Sequence, residues 1–178
     1  MSAPARPDLT LEVAAPDEQA VIANLFQFYI HDFSEFWWDQ DRGELEADGR
    51  FAPPTLDRWW RGDPGAIPLL LRAGGHPAGF ALVDATSHSG LPLERNVAEF
   101  FVVRKHRRGG VGTWAARTLF ARYPGVWEAA VARRNIGALG FWTRAIEGYP
   151  QAEDIEVLDR DDEHWNGPIL RFTARPAQ

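Results

Sequence analysis

The stretch that most limits the fold of this chain lies between Val97 and Thr113. Val97-Ala98-Glu99-Phe100-Phe101-Val102-Val103 is apolar and rich in β-branched and aromatic residues, the composition of a strand. It runs into Arg104-Lys105-His106-Arg107-Arg108 and then Gly109-Gly110-Val111-Gly112-Thr113, where helical spacing begins and continues to Tyr123. A strand that turns through glycines into a helix packs that helix back onto its own sheet, so a mixed α/β domain is predicted. The glycines let the backbone approach a ligand closely and take positive φ. The first amides of the helix have no internal partners and lie at the positive end of its dipole. Arg104, Lys105, Arg107 and Arg108 add mobile positive charge there, in a protein with 19 basic against 25 acidic residues and a net charge of −6. The segment reads as a phosphate cradle in an otherwise acidic chain.

Composition removes several other classes. With no cysteine, the chain can form no disulfide, thiolate–zinc site, iron–sulfur cluster or cysteine nucleophile. Lys105 is the only lysine, and no Gly-Lys pair exists to build a phosphate-loop NTPase. The acidic balance argues against a general nucleic-acid binder. No apolar run approaches the ~20 residues of a membrane span, and Met1 to Pro7 is too short and proline-rich for a signal peptide, so a soluble cytoplasmic protein is expected. The 178 residues suit a single domain, with a core over about 8–175.

Around the central segment, Leu9, Leu11 and Val13 alternate as a first strand. Pro16-Asp17-Glu18 opens a helix whose apolar face is Ile22, Leu25, Phe26, Tyr29, Phe33 and Phe36. Leu56 to Arg61 forms a short helix. Ile67–Arg72 and Ala78–Asp84 make a hairpin across Gly74-Gly75-His76-Pro77. Val126–Val131 is a strand, Asn135–Ile146 a helix, and Ile155–Leu158 and Ile169–Phe172 two last strands around an acidic connection. The order is β-α-α-β-β-β-α-β-α-β-β, with antiparallel hairpins and one crossover from Val97 through Val131.

Two motifs compete for the glycine turn. Gly110-Val111-Gly112-Thr113-Trp114-Ala115 fits the dinucleotide pattern G-x-G-x-x-A, but six residues, four of them basic, separate it from Val103, and no further βαβ unit follows. The alternative uses more residues. Arg107-x-x-Gly110-x-Gly112 resembles the R/Q-x-x-G-x-G/A signature of the GNAT superfamily of acyl-CoA-dependent N-acetyltransferases, and Asn135-x-x-Ala138-x-x-Phe141-Trp142 resembles its N-x-x-A-x-x-F/L-Y helix. This resemblance implies a mixed, mostly antiparallel sheet of six to seven strands, with helices on both faces and the fourth and fifth strands splayed. It implies acetyl-CoA as co-substrate: amides of Phe101, Val102 and Val103 along the pantetheine arm, one of them polarising the thioester carbonyl, and amides of Arg108, Gly109, Gly110, Val111, Gly112 and Thr113 around the pyrophosphate beside Arg107. Asn135 would cap its helix and touch the cofactor. Phe141 and Trp142 would stand half in the core and half against the arm.

The resemblance leaves the acid–base groups displaced. Attack on a thioester needs a neutral amine, so a carboxylate or waters leading from one takes the proton. Where members carry that acid on the fourth strand this chain has Asn96; where they carry it on the fifth it has Ala130. Glu99 is the first candidate base, although it lies on the other strand parity unless a bulge intervenes, and Glu128 is the second. Where many members have a tyrosine that protonates the departing thiolate, this chain has Trp142, which offers no acidic proton; Tyr149 is a nearby substitute.

For the acceptor, residues 26–60 hold ten of the 22 aromatic residues, more than two short helices need, which points to an aromatic-walled pocket. Asp32, Glu35, Asp39 and Asp41 lie among them, and Asp159, Asp161, Asp162 and Glu163 come late. If the two runs converge they attract a cation, so a primary amine of a small molecule is the expected acceptor. His31, Glu35 and the late acids match no metal-ligand spacing, and no metal is expected. No nucleic-acid or membrane partner is expected, and a homodimer is among the possible assemblies. The rival readings are a non-catalytic acyl-CoA-binding sensor and a dinucleotide-dependent oxidoreductase.

Overall fold

Alternating residues make β1 (Leu9–Val13) an edge strand, which pairs antiparallel with β2 (Ile67–Ala73). Gly74 and Gly75 take φ of 57° and 78°, so the chain reverses there and β2 pairs with β3 (His76–Asp84). This computed structural model describes residues 7–176, so all but Pro7 of the segment read for a signal peptide lies outside the described residues. The other strands are β4 (Arg95–Val102), β5 (Gly125–Ala130), β6 (Ala152–Asp161) and β7 (Asn166–Ala174). They form one seven-stranded sheet in the order β1-β2-β3-β4-β5-β7-β6, antiparallel except for β4 and β5.

Both faces of the sheet are covered, which is why β2 and β3 read as continuous apolar runs rather than alternating ones. On one face α1 (Gln19–Ser34) lays Ile22, Leu25 and Phe26 on Leu70, Phe80, Leu82 and Phe101. The short α2 (Asp57–Trp60) packs at its side through Leu56, Trp59 and Trp60. On the other face α3 (Val111–Arg122) and α4 (Ile136–Glu147) bury Ala115, Leu119, Phe120 and Ile146 with Leu69, Val102 and Trp127.

The structure departs from the sequence reading at the end of α1 and in the last two strands, each of them more than twice the expected length. The helix opened by Pro16 ends at Ser34, so Phe36 lies past it. β6 is more than twice the expected length; it is a mostly exposed edge strand held by β7, and its polar sequence carries no burial pattern. Asp159 and Asp161 therefore lie on a strand rather than in a connection.

The feature that makes a site is the divergence of β4 from β5. They pair only at Arg95–Trp127 and Asn96–Glu128. Beyond these, β4 follows β3 as far as Gly79–Val102, while β5 follows β7 as far as Ala130–Ile169. Only glycine fits at position 79, where a Cβ would overlap the Phe101 carbonyl. That close approach holds β4 against β3 and leaves the gap on its other side.

Candidate active site

The cradle forms at the open end of the gap. A single 3-10 turn at Arg104–His106 follows β4, Arg108 and Gly110 take φ of 64° and 79°, and the Trp114 amide makes the bond to the Gly110 carbonyl (2.9 Å) that starts α3. The amides of Val111, Gly112 and Thr113 precede that bond, so they have no partner within the helix. A Cβ at Gly112 would stand 3.2 Å from the Phe141 ring and 3.6 Å from Val102, so the glycine keeps the helix start close to both. Along β4 the Val103 amide donates to Ala78 on β3 (2.8 Å). By the alternation of an antiparallel ladder, Val102 and Phe100 turn their amides and carbonyls to the gap. The Val102 carbonyl there accepts from Arg107 Nε at 2.6 Å. Of the three strand amides expected to meet the pantetheine arm, only Val102 faces the gap; Val103 is already bonded to β3, and the same alternation turns Phe101 to β3.

The positive charge is less mobile than the sequence suggests. Asp32 on α1 accepts from Arg104 (2.6 Å) and from Arg107, drawing both side chains over the end of β4. Burial works to raise the pKa of Asp32, but the hydrogen bonds from Arg107 and Arg104 prevail and hold it below the usual carboxylate value. A few residues on, Asp39 and the Phe36 carbonyl accept from Arg134, just after β5. Residues 32–39 thus form a strap from the β4 end of the gap to its β5 end. Among the described residues Lys105 and Arg108 make no salt bridge.

Glu99 reaches the α1 face by a β-bulge. Leu82 pairs with Glu99 but Val83 pairs with Val97, so Ala98 is the extra residue and parity changes across it. Asn96, which donates to Asp84 (3.0 Å), and Glu99 consequently share the face on which α1 lies. There the Glu99 carboxylate accepts from the Tyr29 hydroxyl, inside a nest of Phe26, Phe33, Phe80 and Phe101. Burial raises the Glu99 pKa, the Tyr29 hydrogen bond opposes this, and the charge of Asp84 adds to it; together they push it up to about 7. Burial and then the Glu99 charge hold the Tyr29 phenol well above its ordinary value. A carboxyl poised near neutrality can accept a proton from an amine and give it back.

Glu128 is surrounded differently. It is fully buried and accepts from the amides of His88 (3.0 Å) and Ser89 (3.3 Å), the Ser89 hydroxyl, and Arg171 (2.9 Å). These bonds fasten the loop after β3 to β5 and β7. Asn135 caps α4, accepting from the Ala138 amide at 3.0 Å. Trp142 is 6% exposed and packs among Phe100, Phe120 and Phe141, so the ring nearer the cradle is Phe141, which stacks on Phe100 at 5.6 Å. Tyr149 sits at the far end of the sheet, where its hydroxyl meets the Arg175 carbonyl beside the Gly125–Ala174 pair; it is no substitute for an acid at the gap.

A model of the acetyltransferase (GNAT) family matches residues 27–146, from α1 through the cradle and the gap to the end of α4. The chain belongs to the GNAT acetyltransferase family. Solved structures of the same fold include an acetyltransferase of Thermus thermophilus (17% identity, TM-score 0.56, 95% of this chain and 97% of that one). Another is yncA of Salmonella typhimurium, solved with its cofactor acetyl-CoA (15%, TM-score 0.54, 93% and 91%). A third is the aminoglycoside acetyltransferase AAC(6')-Ib, in complex with coenzyme A and kanamycin (13%, TM-score 0.57, 93% and 94%). No curated protein matches the chain by sequence. Among the described residues no helix is long and apolar enough to cross a membrane.

Within this GNAT frame one acid of each run is tied to an arginine just after β5, Asp39 to Arg134 and Asp159 to Arg133 at 3.1 Å. Both acids are ion-paired, so their attraction for a cation is weaker than bare acids would give. Two cavities adjoin α1: one of about 270 Å³ reaches Phe101, Val103 and Arg104, and one of about 720 Å³ lies against Gln27, Phe28 and Phe51. Neither includes Glu99. Sequence reasoning missed Tyr29 and Asp84 as site residues: Tyr29 was legible only as one of six apolar-face positions, and Asp84 only as the end of a strand.

Proposed function

We propose that the chain transfers an acetyl group from acetyl-CoA to a primary amine of a small molecule by direct attack. The observation that carries this reading is Glu99: the bulge at Ala98 brings a carboxyl with a pKa of about 7 to the face above the gap, one residue from backbone that faces the gap. The cradle amides of Val111, Gly112 and Thr113, with Arg108 and Gly110 at positive φ, are suited to a pyrophosphate, and the gap-facing groups of Val102 and Phe100 to a pantetheine amide. Acetyl-CoA would supply the activated acetyl group. Glu99 would remove the ammonium proton, and the gap-facing amide would stabilise the developing oxyanion. Glu128 has four donors already, so Glu99 is the base of the two. A small-molecule acceptor is supported by the fold's occurrence in an enzyme solved with kanamycin.

Asn96 and Trp142 at the usual acid–base positions favour a non-catalytic acyl-CoA sensor as the second reading. A thermal-shift comparison of acetyl-CoA, CoA and NADH, followed by release of free CoA across a panel of amines, tests both. At a hundredfold excess over Kd, acetyl-CoA and CoA are expected to stabilise by about 2.7 kcal/mol, a rise of roughly 5–10 °C, and NADH by nothing. Binding without CoA release from any amine would favour the sensor. A shift with NADH alone would favour the oxidoreductase.

A further inference from the structure

We propose that Tyr29 is the second member of a proton relay with Glu99, passing on to the departing thiolate the proton that Glu99 takes from the acceptor. The inference rests on the transfer reading above. Three observations support it. The tyrosine of the family motif is replaced by Trp142, whose ring is buried in the core. Of the three tyrosines, Tyr149 is bonded at the far end of the sheet, and Tyr123 follows the last turn of α3, away from the cradle. Only Tyr29 has its hydroxyl against Glu99, within a nest of four phenylalanine rings.

The direction of that hydrogen bond gives the relay its order. While Glu99 is ionised, the phenol O–H donates to it. Once Glu99 has taken a proton from the ammonium, the carboxylic acid donates to the phenol oxygen, and the phenol proton is free to turn toward another acceptor. As the nitrogen–carbon bond forms and the carbon–sulfur bond breaks, Tyr29 gives its O–H proton to sulfur and receives the Glu99 proton. Glu99 returns to the carboxylate; of the two protons that the ammonium loses on becoming an amide, one reaches sulfur through Glu99 and Tyr29 and the other leaves to water. The gradient is downhill, because Glu99 titrates at about 7 and a free thiol near 8.5. The charged groups facing Glu99 are Asp84 from β3 and, through its 3.2 Å ion pair with Asp84, Arg58 of α2.

Tyr29→Phe keeps the ring and removes only the hydroxyl, so it preserves the packing with Phe26, Phe80 and Phe101. In the free protein, infrared titration of the Glu99 carboxyl should show its midpoint rising in Tyr29→Phe, since the hydrogen bond that favours the ionised form is gone; an unchanged midpoint would overturn the contact and the relay. In turnover, Tyr29→Phe is expected to lose roughly 10²-fold with acetyl-CoA. With 4-nitrophenyl acetate as donor to the same amine, whose nitrophenolate leaves without a proton, the loss should be less than about threefold. Glu99→Gln should lose activity with both donors. Equal losses for Tyr29→Phe with the two donors would overturn the relay while leaving the transfer reading intact. If the wild-type chain binds CoA but releases none from acetyl-CoA with any amine, the transfer reading itself fails, and the relay with it.

Discussion

Glu99 loses water and gains a hydrogen bond from Tyr29; Glu128 loses water and gains four donors, one of them Arg171. The first arrangement leaves a carboxyl that exchanges a proton near neutral pH. The second makes Glu128 an anchor that fastens the loop after β3. Glu99→Gln should therefore lower kcat/KM by roughly 10²-fold, and the wild-type profile should rise through a pH of about 7, a limb absent from the variant; steady-state rates across pH 5–9 check this. Glu128→Gln should instead cost about 3 kcal/mol of stability, because it leaves Arg171 with a neutral partner in the interior, and should retain turnover at temperatures where it stays folded. Urea unfolding beside a rate assay separates the two, and a loss of turnover in Glu128→Gln as large as in Glu99→Gln would reverse the roles.

An element is positioned by what it can approach, and the start of α3 shows this through two glycines. Gly110 caps the helix at a φ of 79°, a conformation that costs a residue with a Cβ about 1 kcal/mol or more. Gly112 lies within van der Waals reach of Phe141 and Val102, so a side chain there must displace the Phe141 ring. Gly110→Ala and Gly112→Ala should each weaken CoA binding by about tenfold, the worth of one hydrogen bond to a charged group, with the melting temperature of the free protein lowered by only a few degrees. Isothermal titration with CoA reads this, and unchanged affinity in both variants would remove the cradle from the site. The strap at residues 32–39 belongs to the same scale: its ion pairs join the ends of two strands that no longer touch each other.

For the whole molecule, Glu99 makes stability depend on pH in a direction opposite to most carboxylates. Its pKa is about 7 in the folded chain against an ordinary 4.5, so the folded state binds the extra proton between those values. Stability from this group is complete below about 4.5 and lost as pH rises through 7, with a ceiling of about 3 kcal/mol. Asp32, Asp39, Glu18 and Asp162 are lowered by their hydrogen bonds and act the other way, losing stability as pH falls below about 4. Wild-type stability should thus peak near pH 5 and decline toward pH 8, and Glu99→Gln should flatten that decline; unfolding midpoints at pH 5 and 8 for the two proteins test it. The same division runs through what could be read without coordinates. Each strand and helix, the glycine turn, the Asn135 cap and each of the two motifs that carry the likeness to the acetyltransferase family lie in stretches of some twenty residues or fewer, where spacing and local conformation suffice. The pairing of Tyr29 with Glu99, of Asp32 with Arg104 and Arg107, and of Glu128 with Ser89 and Arg171 joins residues 39 to 75 positions apart. Those contacts depend on sheet register, on one bulged residue at Ala98 and on which face α1 covers. The titration of Glu99 depends on them in turn, because desolvation is a property of what surrounds a group, and only the folded chain supplies those surroundings.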